Sequence, residues 1–161
     1  MTKIPLPPNN SEVKVRLPGL VHTQHTFIRP FVQTDYRIFT ELIRKQHFQS
    51  RFENLQLDQL LQLFVNILNS YKQDPFILLA VCHRETFEPV GMLSISQINE
   101  GELEFILECQ ENFQLEIMQG MCDYYSAYNL DFVTHQTIKN ISELGFVQDE
   151  RKLFVKKSER Q

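Results

Sequence analysis

Long apolar runs, surplus basic charge and paired cysteines are all missing from this chain, and each absence removes a class of function. The longest apolar run covers residues 76–82, far short of the roughly 20 residues a bilayer crossing needs. Residues 1–10 lack the apolar centre of a signal peptide. A net charge of −4 and a pI near 5.7 leave no excess of Lys and Arg for phosphate backbones, so neither DNA nor RNA is the expected partner. The three cysteines, Cys82, Cys109 and Cys122, form no CxxC pair and no even framework. Each sits among apolar neighbours, where a free thiol acts as a small buried hydrophobe. His22 and His25 have no Cys or carboxylate at ligand spacing, and no metal site is expected from them. No P-loop, dinucleotide fingerprint or Ser-His-Asp order is present. Tryptophan is absent as well, which excludes nothing. The expectation is a soluble cytoplasmic protein without a membrane or nucleic-acid partner.

What is there fits one packed domain. The chain has 161 residues, 42% hydrophobic and 22% charged, enough to bury a core without staples. Residues 1–24 hold Pro5, Pro7, Pro8, Pro18 and Gly19 and read as an N-terminal arm, with residues 13–17 alternating as a short edge strand would. A single domain is expected over 25–157, and a short tail over 158–161.

Within that domain, residues 26–30 form a strand ended by Pro30. Asp35 offers the start of a helix carrying Ile38, Phe39, Leu42 and Ile43. A second helix places Leu57, Leu60, Leu61, Phe64, Val65, Leu68 and Tyr71 on one stripe, and Asp74-Pro75 ends it. Residues 76–83 read as a strand buried on both faces. Strands over 90–98 and 102–109 follow, joined by Asn99-Glu100-Gly101. In the second of these, Leu103, Phe105 and Leu107 share one face, and Glu102, Glu104, Ile106 and Glu108 the other. A helix over about 114–128 carries Ile117, Met118, Met121, Cys122 and Tyr125, with Tyr124, Tyr125 and Tyr128 serving packing. A strand over 131–134, a final helix striped by Ile138, Ile141 and Leu144, a C′ glycine at Gly145, and strands near 146–147 and 153–155 complete the order. The pattern is α+β.

Four segments resemble the GNAT family of N-acetyltransferases, over roughly residues 26–156. Phe27-Ile28-Arg29-Pro30 with Asp35 is similar to the opening of the branch that includes ribosomal-protein N-terminal acetyltransferases. Glu88-Pro89-Val90-Gly91-Met92-Leu93-Ser94-Ile95 resembles the family's glycine-bearing strand. Glu102-Leu103-Glu104-Phe105-Ile106-Leu107 resembles its glutamate-bearing strand. Leu144-Gly145-Phe146 closes the signature, with Thr134 and Thr137 where the family has Asn and Ser. The resemblance implies a mixed, mostly antiparallel sheet flanked by helices. It also implies acetyl-CoA as cofactor and an amine as acyl acceptor, and the partners are then an acyl-CoA and an unidentified amine. The pantetheine arm would pair with main-chain groups of Ile106, Leu107 and Glu108, with Thr134 and Thr137 beside it.

One part of the pattern departs from the family. The turn that should cradle a pyrophosphate, residues 110–116, has no glycine and no basic residue. It carries Glu111 and Glu116, which repel an anion. Two functions therefore stay open: an N-acyltransferase with an atypical, shortened cofactor site, and a catalytically silent GNAT-fold protein that binds through the same cleft.

Acetyl transfer needs a base for the ammonium proton. Glu102 and Glu104 point the same way from a central strand, either as that base or as carboxylates on a solvated face. Thr137 either touches the cofactor or caps a helix. His135 either assists proton transfer or lies on the surface. The basic C-terminus, with Arg151, Lys152, Lys156, Lys157 and Arg160, either blunts an edge strand and a solvated tail or attracts an anionic cofactor. The Leu- and Phe-rich second helix leaves a homodimer open.

Overall fold

The computed structural model describes residues 21–45, 48, 55–70 and 76–158. The expected strand over 13–17, His47, Tyr71, Asp74-Pro75 and residues 159–161 of the tail lie outside them. Among the described residues, eight strands form one sheet. They are β1 (Val21–His22), β2 (Thr26–Pro30), β3 (Phe76–His83), β4 (Pro89–Asn99), β5 (Glu102–Glu108), β6 (Asp131–Thr134), β7 (Val147–Gln148) and β8 (Phe154–Lys156). Their order is β1-β2-β3-β4-β5-β6-β8-β7. Every neighbouring pair is antiparallel except β5 and β6, which run parallel. The expected α+β architecture, a mostly antiparallel sheet flanked by helices, is the one found.

Strand alternation sorts the apolar residues into two layers. Ile28, Leu79, Val81, Leu93, Ile95, Leu103, Phe105 and Leu107 face one side, against helix α3 (Glu111–Tyr124). Phe27, Leu78, Ala80, Cys82, Met92 and Ile106 face the other, against helices α1 (Tyr36–Leu42) and α2 (Leu57–Ser70). Tyr125 sits fully buried in the first layer, edge-on to both Tyr124 and Tyr128, so this tyrosine group does pack the core.

Several elements differ from their sequence pattern. Helix α3 starts at Glu111, three residues earlier than expected, because Phe113 is drawn into the core and the acidic Glu111 suits a helix N-terminus. It ends at Tyr124, where Tyr125 caps it. The expected final helix is only a 3-10 turn, Ile141–Leu144, because Asn140 adopts φ +65° and interrupts α-helical propagation. Ile138 and Ile141 still reach the core. Gly145 has φ +95° and closes that turn, its N–H donating to the Ser142 carbonyl. Strand β8 is internal, between β6 and β7, so its one lysine, Lys156, does not blunt an edge.

Asp35 precedes α1 but does not cap it with its side chain. Its carboxylate takes both Arg29 guanidinium nitrogens, at 2.7 and 3.1 Å, and the Val32 N–H at 2.8 Å. This ties the end of β2 to the start of α1 and holds the Arg29 guanidinium above its ordinary value. Among the described residues of the expected stripe, only Leu60 and Phe64 of α2 are fully buried, while Leu57, Leu61 and Val65 are 70%, 51% and 37% exposed.

Gly91 has a local reason to be glycine. A Cβ there would lie 2.4 Å from the Glu108 carbonyl oxygen and 2.6 Å from Cys109 Cβ. Its absence lets the end of β5 pack onto β4. Gly91→Ala is expected to cost about 1–3 kcal/mol through this overpacking, read as a lowered Tm in thermal unfolding. An unchanged Tm would mean that β4 and β5 do not approach this closely.

Candidate functional site

The site follows from how β5 is paired. Its first half is held on both sides: by β4 throughout, and by β6 at Glu102↔Asp131, Leu103↔Phe132 and Glu104↔Val133. Beyond Glu104 the two strands part. Main-chain groups alternate in direction along a strand. Of the three residues expected to meet a cofactor, therefore, Leu107 turns its N–H and C=O to the gap, and Ile106 and Glu108 turn theirs to β4.

Those Leu107 groups are taken by a side chain that the sequence reading did not single out. The Leu107 N–H donates to Gln136 Oε1 at 2.5 Å, and Gln136 Nε2 donates to the Leu107 carbonyl at 2.7 Å. Gln136 is 4% exposed. Thr134, at the end of β6 and fully buried, accepts the Gln136 N–H on its hydroxyl at 3.2 Å. A Ser/Thr turn of this kind is local and legible, but nothing local tells that the carboxamide reaches a strand 29 residues earlier.

The candidate acids and bases separate. Glu102 is engaged by an arginine and an asparagine. Its carboxylate accepts from Arg151 Nη2 at 2.7 Å, Arg151 Nη1 at 3.1 Å and Asn99 Nδ2 at 2.7 Å. The Arg151 guanidinium, with Asn99 helping, holds its carboxyl below the ordinary value. Arg151 in turn is oriented by Asp149, 2.8 Å away. Glu104 shares that face and has His135 Nδ1 3.8 Å from its Oε2, its side chain 15% exposed against 45% for His135. Thr137 is exposed and lies before the 3-10 turn, where it caps no helix, since Asn140 holds that place.

Past the gap, a groove of about 720 Å³ opens between the end of α1 and the entry to α3. Ile38, Leu42, Val90 and Cys109 give it an apolar floor. Arg44 and Lys45 bring positive charge, opposed by Glu41 and Glu108, and Gln110 stands at the N-terminus of α3. Burial, reinforced by the Glu108 and Glu116 charges, pushes the Cys109 thiol up to about 12, so it is no thiolate nucleophile near neutral pH. Burial alone would raise Glu116. Hydrogen bonds from the Thr23 hydroxyl, the His25 N–H at 2.8 Å and the His25 ring at 2.7 Å outweigh it and hold the carboxyl low. Glu116 thus fastens α3 to the β1–β2 turn, and His25 is committed to that contact.

No protein-family model and no curated protein matches the chain. Solved structures do. The ribosomal-protein-S5-alanine acetyltransferase of Vibrio fischeri superposes with a TM-score of 0.62 at 14% identity, over 88% of this chain and 97% of that one. The spermidine N-acetyltransferase of Vibrio cholerae, solved with CoA and spermine, gives 0.60 at 19% identity, over 82% and 92%. An acetyltransferase from Agrobacterium tumefaciens gives 0.58 at 14%, over 91% and 97%. The fold is therefore that of the GNAT-family acetyltransferases. No helix among the described residues is long and apolar enough to cross a membrane.

The Glu102 ion pair has a pH signature. A carboxyl held below its ordinary 4.5 contributes stability that is fully present above that value and is lost as pH falls through the depressed one. Glu102→Gln is expected to lower Tm at pH 7, and the gap to wild type should close as pH drops below 4.5. A gap that persists unchanged in acid would show that the Arg151 contact is not what Glu102 contributes.

Proposed function

We propose that this chain is an acyl-CoA-dependent N-acyltransferase, acetyl-CoA being the first donor to test, that passes its acyl group to an amine. The observation that carries this reading is the parting of β5 and β6 after Glu104 and Val133, which leaves the Leu107 main chain bonded to a carboxamide instead of a strand. An amide-bearing arm laid along β5 in strand-addition fashion suits that edge. The groove beyond it, with Arg44, Lys45 and the α3 N-terminus, suits the anionic end of such a molecule. When bound, the thioester supplies an activated acyl carbon and a thiolate leaving group.

The chain's own residues handle the protons. An amine arrives as an ammonium and must lose a proton before it attacks. Glu104, sheltered on the sheet face and adjoining His135, takes that proton, and the more exposed His135 hands it to solvent. Glu102 keeps the opposite end of the face rigid through Arg151. Thr137, exposed and past the end of β6, is the hydroxyl assigned in this reading to the cofactor thiol. The acceptor class is an amine, of the kind that the polyamine and ribosomal-protein enzymes of this fold use.

A second reading, a silent GNAT-fold binding protein, is favoured by one feature. The entry to α3 carries Glu111 and no glycine, so it lacks the close backbone approach that a pyrophosphate uses. Calorimetric titration with acetyl-CoA and CoA decides between the two. Micromolar binding supports the enzyme. No heat and no thermal shift at millimolar ligand overturns it and leaves the binding protein. In an active preparation, Glu104→Gln is expected to reduce kcat/KM by about 100-fold with Tm little changed. An unchanged kcat/KM would remove Glu104 from the proton path.

A further inference from the structure

We infer that Gln136 decides which ligands enter the gap between β5 and β6, acting as a built-in competitor for the main chain of Leu107; this rests on the acyl-CoA reading above. A carboxamide can set its acceptor oxygen and one of its two N–H donors side by side in a plane, the pattern that a peptide strand presents to its neighbour. Gln136 uses both on one residue, Oε1 taking the Leu107 N–H at 2.5 Å and Nε2 giving to the Leu107 carbonyl at 2.7 Å. Its own main chain is anchored by Thr134 at 3.2 Å, the last residue of β6. The side chain therefore substitutes for the strand at the point where the strand ends.

A ligand amide that adds to β5 at Leu107 needs the same N–H, which has one proton to give. Binding there is an exchange, and the ligand gains no net hydrogen bond by it. A molecule without a matching amide leaves two buried main-chain groups unbonded when it displaces Gln136, a penalty native interiors avoid. The gap thus rejects apolar occupants. It admits an amide-bearing ligand only when contacts elsewhere, in the groove holding Arg44 and Lys45, outweigh the displacement.

The test compares wild type with Gln136→Ala and with Gln136→Ser, whose short side chain cannot reach Leu107. Circular dichroism establishes that each variant is folded. Hydrogen exchange at the Leu107 amide is read without ligand, and binding is measured by calorimetry with acetyl-CoA. Removing the competitor should release the Leu107 amide to faster exchange and tighten acetyl-CoA binding about tenfold or more, the worth of one to two net hydrogen bonds. Unchanged Leu107 exchange in a folded variant overturns the inference whatever the ligand does. Equal acetyl-CoA affinity in wild type and variants overturns the inference while upholding the acyl-CoA reading. Faster Leu107 exchange with no binding by any of the three proteins overturns the acyl-CoA reading and, with it, Gln136 as its competitor. Weaker binding in the variants also overturns the competitor role, and would make Gln136 a ligand contact.

Discussion

The unequal pairing of β5 governs this molecule. The strand lies inside the sheet, so its main-chain groups need partners on both sides. On one side β4 runs beside it along its whole length, and Gly91 lets the two approach at their far end. On the other, β6 accompanies it for three residue pairs and leaves. A buried strand edge without partners is costly, and the chain meets the need with one side chain, Gln136. The gap, the groove beyond it and the placement of α3 all follow from where β6 turns away.

The two ends of β5 are treated differently. At its start, Glu102 and Asp131 face each other across the parallel pair, and cations from the last part of the chain neutralise them: Arg151 on Glu102 and Lys157 on Asp131. Three of the basic residues near the C-terminus, Arg151, Lys156 and Lys157, serve the fold there, Lys156 by laying its aliphatic stem beside Gly145. At its finish, charge of both signs lines an open groove. One end is locked by ion pairs, while at the other the strand's free side is closed by the Gln136 carboxamide beside the groove.

Much of the fold was legible because alternation and periodicity are local. Leu103, Phe105 and Leu107 pack as their spacing implied, and Asn99-Glu100-Gly101 turns as a hairpin between β4 and β5. The final helix misled because Ile138, Ile141 and Leu144 keep helical spacing while Asn140 takes a left-handed conformation. The α2 stripe misled because a helix lying on a sheet buries a narrower face than its apolar residues occupy. Of the candidate site residues, Glu104 gained a nearby His135. Glu102 gained an arginine from 49 residues away, which no spacing rule announces.

By itself the sequence determined the element order, the two faces of the central strands and the absence of a glycine cradle before α3, because these are properties of neighbours along the chain. Tertiary structure alone decided that Glu102 pairs with Arg151, that Leu107 faces the gap while Ile106 and Glu108 do not, and that Gln136 fills it. Each of these depends on main-chain direction and on contacts between residues far apart in the chain. Those are set by which strands meet and where they part, not by local pattern.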